Sequence, residues 1–294
     1  MPINQGYAYT LQIQAPQGHT VLSYLTAHYR HSTEVIWAAR IAAAEVRVDG
    51  LLATASQPLR AGQILCWQRP PWEEAEVPGE FSIIYLDADL LAVHKPAGMP
   101  TMPAGGFLAQ TLLSLVQQQF PEATPMHRLG RGTSGLVLFA LSTRARATLQ
   151  AAWREREVEK IYLALAEGHL EVQSIHRPIG PIKHPVIGEI FAASPEGKVA
   201  ISQVQHCWMR GADTLAQVAI ETGRPHQIRI HLASIGHPLV GDPLYGPEGL
   251  PKVGALPGDS GYLLHAWRLG LNHPVDGRRM ELEAPPPVEL EVVG

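Results

Sequence analysis

The densest group of chemically capable side chains is the stretch MHRLGRGTSGLVLFA, residues 126–140. His127, Arg128 and Arg131 stand beside Thr133 and Ser134 where an apolar, β-rich run begins. Loops held by a rigid sheet are where sites usually sit, so this polar cluster at a strand entrance is the first candidate. The same residues, Gly130 to Gly135, also spell G-x-G-x-x-G. A dinucleotide-binding turn needs a strand before it and a helix after it. Here a proline-bearing loop precedes and a strand follows, which argues against that chemistry and favours a glycine-rich loop entering a buried strand.

A second segment, ETGRPHQIRIHLASIGHPLVGDPLYG, covers residues 221–246. Ile228, Leu232 and Ile235 form the buried stripe of a helix, and His226 and Arg229 share its flank. His226 and His231 are five residues apart, about 140° around the axis, so they cannot chelate one metal from one face. The chain has 14 histidines, yet no spacing supports a metal site. Asp242, between Gly241 and Pro243, reads as a turn former. The third segment, HKPAGMPTMP (residues 94–103), is a strand end running into a proline-stiffened turn with one lysine.

These segments need a scaffold. Residues 20–31 carry Val21, Leu22, Leu25 and Tyr29 at helical spacing, and Thr33 caps a second helix with Val35, Ile36 and Ala39 on one face. EVRVDGLLA then reads as a hairpin turning at Asp49-Gly50, and LRAGQILCW as a further strand. That makes a small module over residues 1–70, followed by a linker of prolines and glutamates at 71–80. From 81 to 294 strand patterns dominate (FSIIYL, LLAVHKP, LVLFAL, EKIYLALAEG, VAISQVQHCW, TLAQVAIETG, GYLLHAWRLGL). Helices are interposed at TLLSLVQQQF, at TRARATLQAAWRER with Ser142 as cap, and at HQIRIHLASIG. Strand runs broken by a few helices predict an α+β fold with a mixed, mostly antiparallel central sheet.

The chain's 294 residues, 46% hydrophobic and 17% charged, describe a globular protein of about two domains. Cys66 and Cys207 each adjoin a tryptophan and read as buried small residues of a reducing compartment. No apolar run reaches the roughly 18 residues of a membrane span. The start MPINQGYAYT lacks signal-peptide character, so a soluble, cytoplasmic protein is expected, with a monomer as the default. A net charge of −4 argues against indiscriminate polyanion binding. The charge is partitioned, however. Glu73 to Asp89 holds six acids and no Lys or Arg, while His127 to Gly168 holds seven basic residues against four acids. A nucleic-acid partner would have to use a local site.

Taken in order, HKPAGMPT, HRL-x-R-x-TSGLVLFA, EKIYLALAEG, GR-x-HQIRIHLA-x-IGHPLVGD and the later LLHA resemble the RluA-type RNA pseudouridine synthases over about residues 81–285. The first module resembles the S-four-like RNA-binding module, with Ala44 where that module usually has glycine. The resemblance implies a cofactor-free, metal-free isomerase that detaches the base of a uridine already in structured RNA, ribosomal or transfer, and rejoins it through carbon. The base must be flipped from the fold, at a cost of a few kcal/mol. By the same resemblance Arg128 fills the gap left by the base, and Tyr162 stacks on the uracil with Lys160 alongside. Ile228 and Leu264 line the pocket wall, Arg229 pairs with the catalytic carboxylate, and His127, Arg131, Thr133, Ser134, Arg224 and His226 contact RNA.

One position departs from the family. The block usually reads His-Arg-Leu-Asp, and that aspartate begins the reaction; here it is Gly130. Glycine has no lone pair to offer, so carboxylate catalysis cannot run from it. The change should leave Arg229 without its counter-ion. Among the other carboxylates Glu221 is the candidate substitute, whereas Asp213, Asp259 and Asp276 fall in expected loops. Two readings follow: an active synthase with another group in the aspartate's place, or an RNA-binding protein with a silent site that acts as a chaperone or assembly factor.

Overall fold

A computed structural model describes residues 2–14, 16, 18–29, 31–258 and 260–292, so the loop expected at Asp259 lies outside the described residues. The chain divides into two compact units, Met1–Ala75 with Lys183–Glu189 and Glu76–Ile182 with Ile190–Gly294.

In the first unit β1 (Tyr7–Gln12), α1 (Val21–His28), α2 (Glu34–Ala42), β2 (Val46–Val48), β3 (Leu51–Leu52) and β4 (Ile64–Arg69) follow in order, with sheet order β1-β4-β2-β3. Thr20 and Thr33 accept from the backbone N–H of Ser23 and Ile36, capping α1 and α2. The expected buried face of α2 is corrected: Val35 and Ile36 are exposed, and Trp37 and Ile41 enter the core with Val21, Leu25, Val46 and Leu65. Trp37 is the larger apolar surface, so burying it decides the rotation of the helix. Asp49 and Gly50 both take positive φ, as a tight hairpin turn demands. Ala44 has φ +63°, the left-handed conformation that glycine adopts freely, which accounts for a preference for glycine there.

The second unit is α+β. Its strands are β5 (Ser82–Leu86), β6 (Leu90–Lys95), β7 (Thr124–Pro125), β8 (Ser134–Ala140), β9 (Glu159–Ala166), β10 (Gln173–His176), β13 (Ile201–Arg210), β14 (Asp213–Ile220), β15 (Leu264–Asn272) and β16 (Arg279–Glu283). The sheet order is β10-β13-β14-β9-β15-β8-β6-β5, with β16 beside β15 and β7 beside β8. β11 (Ile179–His184) and β12 (Gly188–Ala193) form a separate ribbon. The helices are α3 (Leu112–Gln119), α4 (Thr143–Glu155), capped by Ser142, and α5 (Gln227–Ser234). Cys66 and Cys207 are free and half-buried rather than buried.

The β15–β8 pairing sets the site. It is parallel, with His265 opposite Ser134 and Ala266 opposite Gly135, whereas β15 meets β9 antiparallel, with Ala266 opposite Tyr162. A Cβ on Gly135 would lie 2.2 Å from the Ala266 carbonyl oxygen, and Gly135 has φ +112°. Only glycine lets the two strands approach, and their approach delivers Thr133, Tyr162 and Leu264 to one place.

Candidate active site

That place is a cleft of about 100 Å³ lined by Arg128, Leu129, Gly130, Thr133, Tyr162, Ile220, Arg224, His226, Gln227, Ile228, Arg229, Tyr262 and Leu264. Nine residues singled out from the sequence therefore meet here, Gly130, Tyr162, Arg229, Arg128, Arg224, His226, Ile228 and Leu264 among them. Thr133 is the ninth. Ile228 and Leu264 are buried and give the wall its apolar character, and Arg128 is exposed at the rim.

The loop carrying Gly130 is fixed from behind. Lys95 is fully buried, and its Nζ donates to the carbonyls of Pro96, Met99 and Arg131. Thr101 Oγ1 donates to the Leu129 carbonyl at 2.9 Å and accepts from its N–H at 3.2 Å. The HKPAGMPT block is thus the brace of the HRLGRGTS loop. Buried polar groups paired this fully hold a loop in one conformation.

Several other residues expected at the RNA have partners inside the fold. Ser134 Oγ donates to His265 Nδ1 at 2.8 Å, and His265 Nε2 donates to the Ala284 carbonyl. His127 stacks on Trp153, and its Nε2 accepts from the Leu138 N–H at 3.1 Å. Arg131 donates from Nε to the Gly98 carbonyl and lies over Phe107. Lys160 and Glu221 face a neighbouring cleft of about 320 Å³, where Gln203 donates to Glu221. Glu221 does not line the cleft around Gly130, so it drops out as the replacement carboxylate.

Arg229 is corrected as well. It does not lack a counter-ion: Nε and Nη2 donate to Oδ2 and Oδ1 of Asp242, each at 2.7 Å, with both side chains buried. Burial pushes the Asp242 pKa up, but Arg229 and the N–H groups of Leu244 and Tyr245 outweigh it and hold the carboxyl below its ordinary range. The guanidinium also lies 4.0 Å over the Tyr262 ring and 5.1 Å over that of Tyr245.

His226 is not within the helix. It is the N-cap of α5, with φ +55°. The Tyr245 hydroxyl donates to the Phe191 carbonyl, so it accepts from His226 Nδ1–H at 2.7 Å. Burial, then the Arg229 charge, pushes the His226 pKa down to about 4, and the ring is neutral at pH 7. Burial pushes the Tyr162 phenol up to about 12, leaving a neutral aromatic face.

At Gly130 itself the space is taken. A Cβ there would lie 2.9 Å from Tyr262 Oη and 3.5 Å from Thr133 Oγ1, two atoms that are themselves 3.2 Å apart. Among the described residues no carboxylate oxygen comes within 4 Å of that point. Tyr262 is the residue that sequence reasoning missed. The signal was its place in GYLLHA, just ahead of the strand that supplies Leu264. Among the described residues no group of three or more His, Cys, Asp or Glu side chains could hold a metal ion.

Residues 89–234 match the RNA pseudouridylate synthase family. Over 277 residues the chain is 42% identical to an uncharacterised RNA pseudouridine synthase of Synechocystis sp., covering 92% of this chain and 95% of that one. It is 34% identical to the ribosomal large subunit pseudouridine synthase D of Nitrosomonas europaea, covering 83% and 74% of the two chains. Among solved structures, human RNA pseudouridylate synthase domain containing 1 superposes with a TM-score of 0.56 at 26% identity, over 75% of this chain and 89% of that one.

Proposed function

The chain belongs to the RNA pseudouridine synthase family, and from that premise we propose that it isomerises a uridine within a structured RNA, ribosomal or transfer, in the cleft around Gly130. The observation that carries this reading is the grouping of Tyr162, Ile228 and Leu264 in one small cleft with Arg128 at its rim. A flipped uracil needs an aromatic face and apolar walls, and its vacated place needs a long cation. Flipping costs a few kcal/mol, and one base–aromatic stack returns about 1–3 kcal/mol, so stacking on Tyr162 offsets much of it. The reaction moves a glycosidic bond from nitrogen to carbon without net oxidation, and so asks for no redox cofactor.

A second reading is favoured by Gly130: the cleft holds RNA without turnover. One experiment separates the two. Purified protein is incubated with ribosomal and transfer RNA from a strain lacking it, and pseudouridine is mapped chemically. A new modified position is expected. No product from the natural chain, together with product from Gly130→Asp, would establish the silent reading instead.

A further inference from the structure

Resting on the reading that the cleft takes a uridine, we propose that Tyr262 is a catalytic residue whose phenol oxygen bonds the ribose C1′ in place of the carboxylate that Gly130 lacks. Among the described residues the cleft lining contains no carboxylate and three hydroxyls, those of Thr133, Tyr162 and Tyr262. An aliphatic alcohol gives up its proton far less readily than a phenol, which sets Thr133 aside. No atom of Tyr162 comes within 4 Å of the point where the first side-chain atom of residue 130 would be, which leaves it a stacking face. Tyr262 Oη stands 2.9 Å from the point where the first side-chain atom of residue 130 would be, so it reaches the space that a side chain at 130 would enter.

The glycines have a reason in this arrangement. A Cβ on Gly132 would lie 2.8 Å from Tyr262 Cε1 and 2.9 Å from Cζ. A side chain at 132 competes with the ring of Tyr262 for one space, whereas one at 130 meets only its phenol oxygen; both glycines fit around the tyrosine. Thr133 Oγ1 holds the phenol oxygen at 3.2 Å, and Arg229, itself clamped by Asp242, covers the ring face at 4.0 Å. A reacting group fixed on both its edge and its face is preorganised, which is what a displacement at carbon needs.

The step balances as follows. The phenol loses its proton to water, and the phenolate oxygen forms a bond to C1′ as the C1′–N1 pair leaves with the uracil anion. The uracil turns, C5 bonds C1′, and the C1′–O pair returns to the phenolate. Water then takes the C5 proton and supplies one to N1. Nothing is oxidised or reduced.

The test uses the full chain and RNA from a strain lacking it, with pseudouridine mapped under single-turnover conditions. The natural chain is expected to form product, and Tyr262→Phe to slow it by roughly 10³-fold or more while RNA association and melting temperature hold. Replacing Tyr262 by 3-fluorotyrosine, which ionises at lower pH, moves the rising limb of the rate–pH profile to lower pH, a shift that a structural role would not produce. The ionisable groups facing the phenol are Arg229, Tyr245 and, behind the arginine, Asp242, and all are unchanged in that variant. Asp259→Asn is expected to leave the rate unchanged. Product from both the natural chain and Tyr262→Phe overturns the tyrosine assignment and leaves the isomerase reading standing, and so does loss of product in Asp259→Asn alone. No product from the natural chain overturns both.

Discussion

Arg229 and Asp242 form a two-bond ion pair inside the second unit, Nε to Oδ2 and Nη2 to Oδ1 at 2.7 Å each. The arginine is therefore balanced by the protein before any substrate arrives, and its free face is turned to the Tyr262 ring. Cutting such a pair leaves one buried charge alone, which costs about 3–5 kcal/mol. Asp242→Asn should lower stability by that order in urea denaturation at pH 7. Its carboxyl is held below the ordinary value in the fold, so its contribution is complete above about pH 4 and is lost as pH falls through the folded value. The difference between Asp242→Asn and the natural chain should accordingly shrink in acid.

Tyr162 supplies a ring, not an ionised oxygen. Its phenol, pushed up to about 12 by burial, stays protonated across the working range. Tyr162→Phe should keep most of the turnover. Tyr162→Ala should weaken RNA association by about 1–3 kcal/mol, roughly five- to 150-fold. Filter binding of a modified-site hairpin measures it. Equal losses in both variants would show that the hydroxyl matters and the stack does not.

Two buried histidines make the fold acid-sensitive. His231 donates from Nε2 to the Arg177 carbonyl and accepts at Nδ1 from Ser202, and His265 is bound in the same fashion by Ala284 and Ser134. Burial pushes both down to about 4. Unfolded, each ring takes a proton near pH 6.5, so below that value the unfolded chain binds more protons than the folded one. Stability is complete above about pH 6.5 and falls toward pH 4. Between pH 7 and pH 5 each ring should withdraw about 2 kcal/mol. Urea midpoints measured across that range check the slope, and His231→Asn should make it shallower.

Much of this architecture was legible in the residues. The glycine-rich loop before β8 and the caps Thr33 and Ser142 are local signals, and each folds as its local chemistry directs, whereas α5 is buried on every side from Gln227 to Ala233 rather than along the expected stripe, with Ile235 its half-buried C-cap. What could not be read were pairings that depend on distant segments meeting. Asp242 looked like a turn former because it is one, accepting from the N–H groups of Leu244 and Tyr245. Its ion pair with Arg229 needed the return of the chain after α5. Ser134 and His127 read as members of a polar cluster facing RNA, but their partners His265, Leu138 and Trp153 are supplied by the sheet and by α4. Tyr262 is far from Gly130 in the sequence, and the parallel pairing of β15 with β8, which sets His265 opposite Ser134, carries the residues ahead of the two strands to one place.

Arg128 is exposed at the cleft rim and has the length to enter an RNA stack. Removing one cation that meets one phosphate lowers the salt dependence of binding by about one unit of slope. Arg128→Ala should weaken association on every RNA tested, flatten log K against log salt by about that amount, and leave the melting temperature unchanged. A change in melting temperature would show that the side chain is used by the fold.

Gly130 and Gly132 of the loop and Gly135 of β8 should differ in how badly they tolerate alanine, and the order follows from what each new methyl meets. At Gly135 it meets the Ala266 backbone at 2.2 and 2.6 Å with φ at +112°, and backbone in a sheet cannot retreat, so Gly135→Ala should cost several kcal/mol or prevent folding. At Gly132 it meets the Tyr262 ring at 2.8 Å and the Ser260 Cα at 3.2 Å, and a cost of about 1–3 kcal/mol is expected. At Gly130 the close contact is only the end of a side chain, Tyr262 Oη at 2.9 Å, so the cost should be about 1 kcal/mol or less. Tyr262→Phe removes that one oxygen and leaves the ring. It should therefore relieve Gly130→Ala and do nothing for Gly132→Ala, a difference that two double-mutant cycles in urea resolve. Equal coupling in both cycles would mean that the ring, not its oxygen, fills the space beside residue 130.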